Sequence, residues 1–177
     1  PTNIMGSDYK IYCEKGFYDT NNKEGYFTRN SKINYDKRII EGDSLTFNDA
    51  IQFASATKNI IITDTINNSI IKGNYAEVFK SIDSAMITKK PYAIKVFDND
   101  SLFIKADTLF AIGPDFNRII KGRFNVKFFR QNLTGKSDKI IINDKSGVTK
   151  LLRNEIDKKE LQVLTNEEIT KKNPVIW

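Results

Sequence analysis

Short β-branched and aromatic runs separated by polar turns occupy the chain from Tyr9 onward, which is the pattern of β-strands. The turns fall at Asn21-Asn22-Lys23, Asp36-Lys37, Asn48-Asp49, Asn67-Asn68, Asp98-Asn99-Asp100, Gly113-Pro114-Asp115 and Asp144-Lys145. Helical periodicity is nearly absent. Tyr75 to Phe79 and Ala85 to Thr88 come closest, and both are too short to propagate a helix. The predicted class is all-β.

A second, longer period lies over the first. The skeleton apolar, any, small, acid or amide appears as Ile11-Tyr12-Cys13-Glu14, Ile40-Glu41-Gly42-Asp43, Ile71-Lys72-Gly73-Asn74 and Ile104-Lys105-Ala106-Asp107. Gly135-Lys136-Ser137-Asp138 is a weaker copy without the apolar lead. The anchors Glu14, Asp43, Asn74, Asp107 and Asp138 are thus 29, 31, 33 and 31 residues apart. Sixteen residues after an anchor comes an Asn preceded by a basic residue, at Arg29-Asn30, Lys58-Asn59 and Arg153-Asn154. Lys89-Lys90 holds the same offset with Lys in place of Asn, and in the longest unit Asn125 arrives two residues late. Such self-similarity predicts stacked units of about 30 residues, none of which buries its apolar face alone.

Within a unit the apolar parity changes at the anchor. Ile40, Ile71 and Ile104 lie three before it, while Leu45 with Phe47, Ala76 with Val78, and Leu109 with Ala111 lie two and four after it. A straight strand would send the two sets to opposite faces. A bulge at the small-acid pair would bring both inside, with the acid bonding local backbone amides. The expected interior is Ile40, Leu45, Phe47, Ile60, Ile62, Ile71, Ala76, Val78, Ile94, Ile104, Leu109, Val126 and Phe128. The architecture this predicts is an elongated twisted β-jelly roll of stacked repeats, open at both ends unless capped or joined to another copy. Residues 1–8 read as a linker and 9–177 as a single domain, with a Glu- and Lys-rich insertion at 155–172.

With 40% apolar and 28% charged residues over 177 positions, the chain has the composition of a soluble domain able to bury a core. No run of about 18 apolar residues is present to span a bilayer as a helix. The chain has no histidine and a single cysteine, which removes Ser-His and Cys-His nucleophiles and Cys-cluster metal sites. Cys13 sits in the small slot of its unit and is expected to pack there rather than react. A net charge of +6 favours an anionic partner, whether nucleic acid, an acidic membrane surface or a phosphorylated glycolipid.

The longer motifs resemble a known family. Ile104-Lys105-Ala106-Asp107 and Lys58-Asn59-Ile60 are similar to the OstA-like family, which includes the lipopolysaccharide transport protein LptA and the N-terminal domain of LptD. Ile39-Ile40-Glu41-Gly42-Asp43-Ser44, Lys72-Gly73-Asn74-Tyr75-Ala76-Glu77, Asp83-Ser84-Ala85-Met86, Arg118-Ile119-Ile120, Val126-Lys127-Phe128-Phe129 and Asn173-Pro174-Val175-Ile176-Trp177 resemble more closely the OstA-like proteins of Bacteroidetes. The resemblance covers Tyr9 to Asn154 and the last five residues, and residues 155–172 depart from it. It implies a periplasmic, non-enzymatic jelly roll without cofactor or metal. Its interior would shield the acyl chains of lipid A, and its partners would be lipopolysaccharide and other jelly-roll components of a transport bridge, with end-to-end self-association.

Two other classes compete. Asp43, Asp107 and Asp138 could pair carboxylates for glycan cleavage, but an acid recurring once per unit suits a structural corner better than a catalytic pair. A structural or adhesive β-solenoid without a lipid ligand shares every repeat feature. Nucleic-acid binding has less support, since no single element interleaves aromatic and basic residues.

Overall fold

The computed structural model describes residues 2–153, and the reading of 155–172 as an insertion lies outside them. The strands are β1 (Thr2–Met5), β2 (Tyr9–Cys13), β3 (Lys15–Asp19), β4 (Glu24–Tyr35), β5 (Arg38–Asn48), β6 (Phe53–Asp64), β7 (Ser69–Phe79), β8 (Ser84–Thr88), β9 (Tyr92–Phe97), β10 (Asp100–Lys105), β11 (Thr108–Ile112), β12 (Ile119–Arg130), β13 (Leu133–Asn143) and β14 (Val148–Leu152). One 3-10 turn, Lys80–Ile82, follows β7. Residues 2–5, within the expected linker 1–8, form a strand paired antiparallel with β2.

All pairings are antiparallel, and the long strands change partners halfway. Residues 75–79 of β7 pair with β8, whereas residues 69–72 pair with β9. The chain therefore builds two layers. Layer A holds β3, β8, β11, β14 and the segments 24–28, 44–48, 53–57, 75–79, 119–123 and 139–143. Layer B holds β1, β2, β9, β10 and the segments 31–35, 38–42, 60–64, 69–73, 126–130 and 133–137. The result is the expected β-jelly roll. Its core is one cluster running from Ile11 through Leu45, Ile71 and Ile104 to Ile142.

The strands cross between layers along one edge, the corner. Two residues there face one. Thr28 pairs with Ser44 and Ser31 with Gly42, so Arg29 and Asn30 together lie opposite Asp43. Lys58-Asn59 opposite Asn74 repeats the arrangement. Both residues of each pair are left-handed, with φ of 61° and 51° at Arg29 and Asn30, 60° and 50° at Lys58 and Asn59, 58° and 63° at Lys89 and Lys90, and 61° and 51° at Phe124 and Asn125. The extra residue thus belongs to the basic-Asn marker and not to the small-acid pair where the sequence reading placed the bulge. The reason is conformational. Two successive left-handed residues turn the strand, and Asn tolerates that region better than most side chains.

The parity switch itself is as the sequence suggests. Ile40 and Gly42 are buried before Asp43, and Leu45 and Phe47 after it. The small slots Cys13, Gly42, Gly73 and Ala106 are buried, and Ser137 is half-buried. Gly73 shows why the slot is small. A Cβ there would come within 2.5 Å of Ile87 Cγ2 and 3.0 Å of the Thr88 carbonyl oxygen, in the opposite layer.

Candidate functional site

Ile40, Leu45, Phe47, Ile60, Ile62, Ile71, Ala76, Ile104, Leu109 and Val126 are buried between the layers. Val78 and Phe128 are half-buried and packed against that core. Ile94 is misplaced in the sequence reading. It is paired with Ile70 on the outer face of layer B, while its neighbours Ala93 and Lys95 are buried. The offset that puts Ile60 and Ile62 inside, one and three residues after the Asn marker, puts Pro91 and Ala93 inside in the next unit. Hydrophobicity alone singled out Ile94, and parity overrules it.

The interior is nearly full. Between the central strands, two small, partly open spaces of about 40 and 30 Å³ lie in it. The first is lined by Ile40, Ile62, Ile71, Val78 and Ala85 with Arg38, Asp64 and Arg118 at its outer side, and the second by Tyr9, Ile33, Ile40, Phe47 and Val78. Spaces of that size hold a few waters at most, and a ligand pocket usually measures about 300 Å³ or more. A ligand of that size fits between the central strands only if the layers part, whereas a wider, open space of about 480 Å³ lies at the C-terminal end, lined by Val126, Ser137, Leu151 and Leu152 among others.

At the corner, backbone joins the layers and the anchors meet the markers. Asn30 Nδ2 donates to Glu14 Oε1 at 2.6 Å, Asn59 Nδ2 to Asp43 Oδ1 and Oδ2 at 3.1 and 3.0 Å, and Asn125 Nδ2 to Asp107 Oδ2 at 2.6 Å. Where Lys90 replaces the marker Asn, the anchor is itself an amide, and Asn74 Nδ2 donates to the Lys89 carbonyl at 3.0 Å. Glu14, Asp43 and Asp107 thus bond side chains sixteen or eighteen residues away rather than the local backbone amides expected from the sequence, because the left-handed turn brings the marker Asn opposite them.

The opposite edge is a mouth, closed by side chains. Arg38, at the start of β5 in layer B, donates through Nη1 to Asp83 Oδ1 at 3.0 Å and through Nη2 to Asp115 Oδ1 at 2.9 Å, both in turns of layer A. In the other direction Arg118, before β12 in layer A, brings Nε to 3.3 Å from Asp64 Oδ2 in layer B. It also donates to the carbonyls of Asp83, at 3.2 Å, and Gly113. Arg38 Nε lies 3.6 Å from the same Asp64 oxygen. Neither Nε makes a hydrogen bond, and the Asp64 oxygens accept instead from Asn67 N at 2.9 Å and Asn67 Nδ2 at 2.8 Å.

Farther along, Lys95 Nζ meets Asp144 Oδ1 at 2.8 Å and donates to the Asn67 carbonyl. Asn67 Oδ1 accepts from Phe116 N at 3.0 Å. Toward the N-terminal end Lys80 pairs with Asp8 and lies over the Tyr35 ring at 4.6 Å. Asp64, Asn67, Lys95 and Arg118 are all buried.

The two guanidiniums differ electrostatically. Burial alone would lower the pKa of Arg38, but its hydrogen bonds to Asp83 and Asp115 outweigh that and hold it above the ordinary value. Arg118 is pushed below its ordinary value, first by burial and then by the Arg38 charge, against the pull of Asp64, Asp83 and Asp115. Arg118 is the less compensated partner of the two, although an arginine this close to acids stays charged.

The sequence reading missed the mouth. Arg38, Asp115, Asn67 and Asp144 lie in or beside stretches it assigned to turns or a solvated face. One signal was available. Asp64 and Lys95 each fall five residues after the marker, on the inward parity where Ile60, Ile62 and Ala93 lie, and a charge on that parity has to find a buried partner.

No protein-family model matches the chain, and no curated protein matches it. Among solved structures the fold is similar to the crystal structure of LptH, described as the LptA homologous periplasmic component of the lipopolysaccharide transport device from Pseudomonas aeruginosa. The similarity has a TM-score of 0.60 at 12% identity and covers 79% of this chain and 93% of that one. At that identity it establishes the LptA-like β-jelly-roll fold.

Proposed function

We propose that this protein is a periplasmic lipopolysaccharide-binding transport module that shields lipid A acyl chains between its two layers and helps bridge the inner and outer membranes. The observation that carries this reading is the asymmetry of the two edges. Backbone crosses at the corner, whereas among the described residues every polar contact across the mouth uses a side chain. The fold can therefore open along the mouth without breaking a strand. Acyl chains admitted there would gain roughly 25 cal/mol per Å² of apolar surface removed from water. The motifs given above support placing the chain in the OstA-like family, nearest its Bacteroidetes members. They and the fold support other jelly-roll components of the bridge as partners.

Self-association end to end has support in the strand edges. Among the described strands, β1 and β3 at one end, and β14 and the 133–137 segment of β13 at the other, pair on one side only. Against an enzyme reading, Asp43 and Asp107 are each engaged by the marker Asn of their own unit, Asn59 and Asn125, as a structural corner would require.

A structural or adhesive module without a lipid ligand is the second reading, and the small interior spaces favour it. A photo-crosslinking side chain separates the two. Placed at Ile62 or Ala93, it is expected to label lipopolysaccharide, and at Lys58 or Ile94 it is not. Equal labelling inside and outside would mean surface adsorption, and no labelling at any position would leave the ligand-free module standing.

A further inference from the structure

The outer face of layer B carries a pattern that no single strand shows. Antiparallel register places Lys72 beside Tyr92, Tyr92 beside Lys105, Lys105 beside Lys127 and Lys127 beside Lys136. The next row, two residues along each strand, runs Ile70, Ile94, Phe103, Phe129 and Thr134. Four lysines thus line up next to a stripe of aliphatic and aromatic side chains, over five strands and about 19 Å at the usual strand spacing.

Both rows are costly in isolation. Like charges directly opposite each other on a sheet destabilise it, and none of these four lysines has an ion-pair partner among the described residues. Lys72 alone has a compensating contact, over the Tyr92 ring at 5.9 Å. In the apolar row Phe103 and Phe129 lie 6.1 Å apart and remain 43% and 47% exposed, with Val96 at 42% beyond them. The same face behaves otherwise near the N-terminal end, where Lys32 is paired with Glu41 at 3.2 Å.

We propose that this part of layer B, over β7, β9, β10, β12 and β13, docks the protein on an anionic phospholipid bilayer. Charge and shape both select that occupant. A row of long cationic side chains set beside a shallow aromatic and aliphatic row is the arrangement in which ammonium groups meet phosphates while rings enter the headgroup layer. The face lies outside the layers, so docking leaves the interior and the mouth untouched.

Sedimentation of the full chain with vesicles tests this. Wild type is expected to bind vesicles of phosphatidylcholine containing phosphatidylglycerol and to ignore vesicles of phosphatidylcholine alone. Each lysine at such a surface contributes on the order of fivefold in affinity, so Lys105→Glu with Lys127→Glu should lose about thirtyfold or more. Lys105→Arg with Lys127→Arg should bind as wild type. Phe103→Ser with Phe129→Ser should lose the part of the binding that resists high salt. Lys139→Glu with Lys150→Glu, which makes the same charge change on layer A, should lose far less, and circular dichroism checks that each variant is folded.

Equal losses in the layer A and layer B charge reversals would overturn the proposal in favour of a net-charge effect. Absence of binding to the anionic vesicles would overturn it as well, and would leave an acidic protein surface as the occupant to seek. Interior labelling at Ile62 is expected to be unchanged in Lys105→Glu with Lys127→Glu, so each proposal can fail without the other.

Discussion

The corner and the mouth join the same two layers by opposite means. At the corner the backbone itself crosses, and the side-chain bonds that accompany it are exposed Asn-to-carboxylate contacts such as Asn59 to Asp43. At the mouth the backbone turns back within each layer, and buried charges do the joining, as between Arg118 and Asp64. Solvent competes for an exposed hydrogen bond, so each corner contact adds little energy. Their effect is to hold a left-handed pair in place. A buried charge whose partner is removed has no such competitor to fall back on and is costly. The corner is thus a fixed hinge line, and the mouth is an edge that is stable only while its charges are matched.

The largest expected effect tests the mouth. Asp144→Ala should destabilise by about 3 kcal/mol, because it leaves the buried Lys95 charge without its acid, and Lys95→Ala should cost less, because the Asp144 it leaves is only half-buried. The double change Lys95→Met with Asp144→Leu should recover most of that loss in denaturant unfolding. If the single and double variants melt alike, the pair is not the buried contact described here.

An intermediate effect belongs to the packing beside the corner. Gly73→Val should cost about 1–3 kcal/mol, since its Cβ would meet Ile87 and the Thr88 carbonyl. Gly42→Ala should cost less, its nearest neighbour being Leu45 Cδ2 at 3.4 Å. Thermal melts of the two variants check the order, and a reversed order would count against close approach of the layers at Gly73.

The smallest effect separates two roles of the marker Asn. Asn59→Ala should lose at most about 1 kcal/mol by equilibrium unfolding, combining an exposed hydrogen bond with a less tolerated left-handed residue. Asn59→Gly loses the same bond but adopts positive φ freely, so it should be the milder change. An equal loss in both would assign the whole effect to the hydrogen bond.

The all-β class and the parity switch at the anchor were legible in the chain because each depends on residues close in sequence, and the jelly roll because a repeat of about 30 residues marks units that must stack. Anchor and marker were legible as a pair of signals but not as bonding partners. Their offset of sixteen residues is visible in the sequence, whereas the contact between Asn59 and Asp43 needs the left-handed turn that brings them face to face. Ile94 marks where local reasoning stops. Hydrophobicity put it inside, yet one residue of register sends it to the outer face and turns Lys95 inward.

Periodicity along the chain, by itself, determined the strands, the side of each strand that packs and most of the residues between the layers, because alternation and turn chemistry act over a few residues. Tertiary structure alone decided which charges meet across the mouth and which side chains line up on the outer face of layer B. Arg38 and Asp115 are 77 residues apart, and Lys105 and Lys127 come from different strands. Such pairs are set by how the layers fold over each other and by cross-strand register, and neither leaves a local trace in the order of residues.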